Sequence, residues 1–335
     1  MPEGVFTAET QALPNNQRQL LRKITLRVGD AAGTGMDLSA LQVRFSITSA
    51  TLQTPRRLDA RLYNVAKTTA TKLRNQFVQV TLSAGYENGP FGFIFGGLIA
   101  QVKVGREDAA NTFVDIIATD GDFAYNFSVI NASLAAGWQQ ADVQKVLVES
   151  LRKDASEASK PKGSFTIGYS PKLSESKAPR GTVLLGMTRD HLRKFATATG
   201  TQWNLEYGTV NFVPELGYIP GDAIVLDSAS GMIGVPVLTI DGVQVTCLLN
   251  PNIKTGRLLK IANASIAGST LKTPISIDDE FYQPSKDPDE IYKVYALRHI
   301  GDTRGQEWYT EAICVGQNGT LPNTSTFINA SVDGK

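Results

Sequence analysis

The sequence predicts a mainly β chain of the α+β class, with two antiparallel β-barrel modules flanking a small α+β module. Three observations carry that expectation. Apolar and polar residues alternate with a period of two from about residue 22 to 124 and again beyond residue 216, the mark of half-buried strands. Between these stretches the apolar spacing becomes helical. Gly, Pro and Asn-Gly punctuate the strand runs at short intervals.

Taken in order, Ile24, Leu26 and Val28 alternate with polar residues. Leu41, Val43, Phe45 and Ile47 then share one face, followed by Leu58, Ala60 and Leu62, and by Val78, Val80, Leu82 and Ala84. Asn88-Gly89 predicts a hairpin, because both residues tolerate positive φ. FGFIFGGLIAQVKVG and TFVDIIATDGD supply two more strands, so the roughly hundred residues from 22 hold six strands, with no credible helix among the later ones. In FGFIFGGLIA, Gly96 and Gly97 are expected to mark a bulge or a close backbone approach.

From 139 to 154, Val143, Val146, Leu147 and Leu151 recur at helical spacing. A second helix is expected in TRDHLRKFATATG, with Thr188 as N-cap, Leu192, Phe195 and Ala196 inward and Gly200 as terminator. WNLEYGTVNFVP reads as a hairpin turning at Tyr207-Gly208. Strands resume with Val243, Val245, Cys247 and Leu249, are broken at Asn250-Pro251, turn at Gly256 and continue through Leu258, Leu259 and Ile261. IYKVYALRHI and EWYTEAICVG close the series around GDTRGQ. The expected divisions are an N-terminal arm 1–21, a first barrel 22–124, an α+β module 125–215, a second barrel 216–316 and a tail 317–335.

Composition narrows the function. With 33 Lys and Arg against 32 Asp and Glu, the net charge of +1 provides no global field for nucleic acid or anionic lipid. Cys247 and Cys314 form no CxxC motif and sit in apolar runs, which predicts buried thiols. The N-terminus lacks the basic and apolar regions of a signal peptide, and no run approaches the roughly 18 apolar residues of a membrane helix. Folding in a cytoplasm is the expectation.

HIGDTRGQEWYTE gathers His299, Asp302, Arg304, Glu307 and Glu311 in thirteen residues and resembles a catalytic cluster. A nucleophilic triad would need a serine, cysteine or threonine nucleophile with an oxyanion site, yet no GxSxG elbow occurs. Zinc needs three or four ligands, and the chain has two histidines. A glycosidase needs only two carboxylates about 5 to 10 Å apart, so Asp302 with Glu307, or Asp120 with Asp122, stays open on spacing alone. The simpler expectation is a tight turn: Gly301 and Gly305 permit it, Asp302 and Thr303 bond its backbone, and Arg304 pairs with a carboxylate. DGD at 120–122 lacks the later oxygen ligands of a calcium loop and is expected to be a strand-ending turn at Asp120. No phosphate-cradling glycine motif is present. No cofactor, metal or catalytic residue is assigned.

The motif series VRFSIT, LDARLYN, VTLSAGYENGPFGFIFGGLIAQVKVGRED and IIATDGDFAYNFSVINASLAAGW, then MIGVPVLTIDGVQVTCLLNPNIKTGRLLKI and YKVYALRHIGDTRGQEWYTEAICVG, resembles the baseplate hub proteins of tailed bacteriophages from about residue 22 to 316. The resemblance implies two barrels of the tail-tube type per chain and a homotrimer of pseudo-sixfold symmetry joining a sixfold tube to a threefold spike or fibre. It also implies tail tube or distal tail protein, spike or fibre protein and other baseplate proteins as partners, DNA passing through the lumen without specific binding, no membrane insertion, and assembly in the host cytoplasm into the virion. A non-enzymatic structural role follows. The alternatives are a cell-wall-degrading glycosidase of the tail tip and the hub portion of a contractile secretion spike or tailocin.

Overall fold

The computed structural model describes residues 19–30, 34–50, 55–157, 165–206, 208–215, 217–239, 241–266, 286–287 and 289–316. The expected tail and most of the arm lie outside them. Alternation becomes strand in the first region: β1 (Arg22–Gly29), β2 (Gly35–Asp37), β3 (Val43–Ala50), β4 (Arg57–Tyr63), β5 (Gln79–Tyr86), β6 (Phe91–Arg106) and β7 (Thr112–Thr119). The alternating residues point inward, so Val43, Phe45, Ile47, Leu58, Leu62, Val80 and Leu82 are buried in one core. Transferring such side chains from water is the main force holding these strands, at about 25 cal/mol per Å².

One helix here escapes the sequence pattern. α1 (Lys67–Asn75) buries only Ala70 and Leu73, and two inward residues among threonines and charges leave little periodic signal.

The middle region holds α2 (Asp122–Phe127), β8 (Val129–Leu134), α3 (Gln140–Glu157), β9 (Thr166–Ile167), β10 (Thr182–Met187), α4 (Thr188–Ala198), β11 (Thr201–Glu206) and β12 (Thr209–Pro214). Leu147, Leu151, Leu192, Phe195, Trp203 and Phe212 share its core. Gly200 ends α4 with φ +61 as expected, and Gly208 turns the β11–β12 hairpin with φ +73. The N-cap expectation is corrected: Met187 caps α4 in extended conformation, while Thr188 is its first helical residue. The Thr188 hydroxyl meets Ser150 Oγ of α3 at 2.9 Å, a buried bond that occupies it between helices.

The last region contains β13 (Ile224–Leu226), β14 (Met232–Thr239), β15 (Gly242–Leu248), β16 (Leu258–Ile261), β17 (Ile291–Asp302) and β18 (Trp308–Gly316). Cys247 and Cys314 are free thiols buried in its core beside Val245, Leu259 and Tyr292.

Strand-rich regions one and three form a single ladder of order β14-β15-β18-β17-β3-β4-β7-β6-β5-β1-β2. Most pairs are antiparallel, but the short β13 runs parallel to β16. The join is made by the twelve-residue β17. Its start pairs with β16, the register shifts between Val294 and Ala296, and its end pairs with β3 from Ala296↔Ala50 to Asp302↔Arg44. A bulge re-aims a strand, and here it lets one strand serve two neighbours in turn.

Candidate functional site

The suspected cluster lies where β17 and β18 meet. Asp302 N donates to Glu307 O at 2.8 Å, closing the tip. Asp302 Oδ1 accepts from the backbone N–H groups of Arg304 and Gly305, each at 2.9 Å, and Arg44 Nε donates to Oδ2 at 3.3 Å. Burial alone would raise this carboxyl, but those N–H groups and the Arg44 guanidinium hold it below the usual range. Thr303 bonds Val43 in both directions at 3.0 Å: its N–H donates to Val43 O, and its Oγ1 accepts from Val43 N.

A second guanidinium reaches the tip from the start of β1. Arg22 Nη1 donates to Asp302 O at 3.1 Å and Gly305 O at 2.5 Å, and Nη2 to Gln306 O at 2.8 Å. The same group lies 5.6 Å from the centroid of the Trp308 ring. Trp308 is buried in the first core, edge-on to Phe45 at 5.6 Å. The tip of the last hairpin therefore seals one end of the first set of strands.

His299 takes no part in the tip. It is buried, with Nδ1 2.9 Å from Thr310 Oγ1, which also accepts from Asn250 N at 3.1 Å. Burial, then the charge of Arg56, lowers its pKa to about 3, so the ring stays neutral at physiological pH. Glu307 and Arg304 are exposed. A glycosidase needs a carboxylic acid with a raised pKa, whereas Asp302 is held ionised by three donors. The cluster is chemically suited to holding a turn.

The remaining turn candidates divide. Gly301 and Asp302 belong to β17, so the turn proper is 303–307. Gly301 serves ring packing: a Cβ there would lie 2.5 Å from the Phe45 ring and 2.8 Å from Trp308. At Gly305 a Cβ would meet Asp302 Oδ2 at 2.6 Å, so glycine admits the carboxylate. The carboxylate pairing expected of Arg304 falls to Arg44, and Arg304 contributes its backbone N–H. Asn88 and Gly89 do lie in the β5–β6 turn, but neither has positive φ. The strained position is Gly85, φ +152, where a Cβ would collide with Pro90 O at 2.0 Å.

Gly96 and Gly97 provide close approach: added Cβ atoms would meet the Phe93 ring at 2.6 Å and Thr119 O at 2.5 Å. The register shifts of β6 fall on either side of them. Asp120 is buried between β7 and α2, its N–H donating to Arg56 O at 3.0 Å, and Asp122 Oδ1 accepts from Asn126 Nδ2 at 2.9 Å inside α2. DGD thus joins a strand to a helix the sequence reading did not anticipate. Pro251 ends the β15 run, and Gly256 turns with φ +79, its N–H donating to Val294 O at 2.8 Å. Among the described residues no three His, Cys, Asp or Glu side chains gather as metal ligands, and no helix is long and apolar enough to cross a membrane.

Apolar side chains are also exposed at the surface. On the two-stranded sheet β8–β10, the directly paired Met187↔Val129, Leu185↔Asn131 and Val183↔Ser133 share one face, and Val129, Leu185 and Val183 are exposed. On β14, at one end of the ladder, Ile233, Val235 and Val237 are exposed around a register shift. The sequence reading missed all three strands. VINASL and TVLLGM do carry a period of two, but the neighbouring helices dominated the windows that contain them.

No protein-family model matches the chain, and no curated protein matches it in sequence. Solved structures do share its fold. The 43 kDa tail protein of prophage MuSo2 from Shewanella oneidensis superposes with a TM-score of 0.54 at 9% identity, over 89% of this chain and 99% of that one. A tail protein from Neisseria meningitidis MC58 gives 0.54 at 12% identity, over 89% and 97%. A chain of the half-lidded Francisella PdpA–VgrG complex gives 0.50 at 6% identity, where this chain is covered over 94% and spans 61% of its counterpart. The chain shares the fold of these phage tail proteins.

Proposed function

We propose that this chain is a structural virion protein, the baseplate hub at the tip of a phage tail. On this reading three copies form a ring that adapts a sixfold tube to a threefold spike or fibre, and DNA passes through its lumen during ejection. The chain divides into the arm 1–21, tube-like barrels 22–124 and 216–316, the module 125–215 between them and the tail 317–335. It is not an enzyme. The observation that carries the proposal is fold likeness over nearly the full length of both this chain and two phage tail proteins. The commitment of Asp302 to the hairpin tip supports the non-enzymatic part. Assembly takes place in the bacterial cytoplasm.

A second reading, the hub portion of a contractile secretion spike, draws on the likeness to the PdpA–VgrG complex. Native mass by light scattering, alone and with a candidate spike and tube protein added, tests the hub. Trimer, or trimer on adding the spike, is the expected result, with Val235→Glu or Leu185→Glu reducing assembly while the monomer stays folded. A folded monomer indifferent to both partners overturns it. Preference for a secretion-system spike over a phage one would select the second reading.

A further inference from the structure

The helices and strands from Asp122 to Pro214 pack on one another and only sparsely on the large sheet. Their core shares no buried member with the cores of the flanking regions. Polar side chains cross the joint. Arg56 donates from Nη2 to Ile94 O at 2.5 Å, while its Nη1 stands 3.8 Å from Glu206 Oε1 of β11, the two side chains 5% and 12% exposed. Asn204 Nδ2 of β11 faces Thr255 Oγ1 at 3.5 Å. Lys293 Nζ donates to Glu215 O at 2.6 Å and Pro214 O at 3.4 Å.

Two connections join the body to the sheet. Inbound, the chain passes through Gly121 at φ +71, where a Cβ would press on Leu205 and Phe165. Outbound it runs from Glu215 to β13 through Gly221 at φ +147, tied down by Ile219 N to Gly256 O at 2.7 Å and Arg257 Nη1 to Pro220 O at 2.7 Å. A body with its own core, joined to the sheet through such contacts, can move as a unit, because opening leaves that core intact.

We propose that the helices and strands between Asp122 and Pro214 form a hinged body that swings on the sheet about Gly121 and the connection through Gly221, with Arg56 and Glu206 as its latch. A charged latch suits such a joint: opening returns the Glu206 carboxylate to water and recovers solvation that burial removed, while Arg56 stays held by Ile94 O on the sheet, which narrows the free-energy gap between closed and open states. The hinge belongs to the single chain and does not depend on what the chain assembles with.

Two measurements on the full chain test it. Spin labels at Val183→Cys in the body and Val104→Cys on the β6–β7 hairpin report the distance between body and sheet, since both native thiols are buried. A broadened or two-peaked distribution that shifts toward the longer component in Glu206→Gln supports the hinge; one narrow distribution, unchanged by the substitution, overturns it. In amide exchange, Ile219 N–H should exchange roughly tenfold faster in Glu206→Gln while the β11–β12 and β3–β17 ladders keep their protection. Equal acceleration of all three sets means ordinary global destabilisation and overturns it. Should Glu206→Gln fail to fold, Thr255→Val replaces it in both experiments with the same criteria.

Discussion

The indole N–H of Trp308 donates to the carbonyl oxygen of Gly85 at 3.2 Å, a buried bond between residues 223 positions apart. Trp308→Ala removes this bond, the edge contact with Phe45 and the surface beneath Arg22. The expected cost is about 3–5 kcal/mol, read as a lower urea midpoint. Trp308→Phe keeps a ring but loses the donor, and should cost less, about 1–2 kcal/mol.

At Gly301 the same rings leave no room. Gly301→Ala should destabilise by about 1–3 kcal/mol, because the new methyl would overlap aromatic atoms set in the core. Thermal unfolding of the purified variant checks this; an unchanged midpoint would contradict the packing described for Phe45 and Trp308.

Asp302 makes stability fall in acid. Its folded-state pKa is lower than its unfolded one, so its contribution is complete above roughly pH 4 and lost as pH falls through the folded value. Asp302→Asn should cost about 2 kcal/mol at neutral pH and flatten the acid limb of the stability curve relative to the parent chain.

Lys293 works in the opposite pH range and with the opposite sign to an ordinary ion-paired lysine. Burial lowers its pKa to about 8, opposed by Glu215, against an ordinary value of 10.5. Because the unfolded chain binds this proton more tightly, the cost of burying the charge is full below pH 8 and relieved as pH rises toward 10.5. The stability difference between the parent chain and Lys293→Met should therefore move in favour of the parent across that window. Denaturant titrations at several pH values measure it.

Both thiols should be inert in the folded protein. Burial raises Cys247 to about 12 and Cys314 higher, so neither forms thiolate near pH 8. A chromogenic disulfide reagent should register no thiol until denaturant is added, and two afterwards.

The alternation at Val43, Phe45 and Ile47, or at Val243, Val245 and Cys247, made the strands legible because each faces a core on one side only. The turn chemistry of Asp302 was legible for a related reason: an Asx turn is local, formed within three residues. What the sequence could not convey is non-local. Nothing near Arg44 indicates that it is the partner of Asp302, and nothing near β3 announces β17 as its neighbour. Gly301 looked like a turn glycine because its constraint, the Phe45 ring, lies on another strand. The short β8 and β10 were obscured by helical neighbours, and the exposed faces they carry with them.

Trp308 belongs to the core of strands made from the first third of the chain. During synthesis those strands emerge long before it, and translation must pass residue 308 before the indole, Asp302 and Thr303 can reach Gly85, Arg22 and Val43. The nascent amino-terminal strands therefore wait with an uncovered apolar end and an unpaired β3 edge, a period in which the ribosome-bound chain is exposed to mispairing. A message broken before codon 308 would yield a protein whose earliest-made core was never finished.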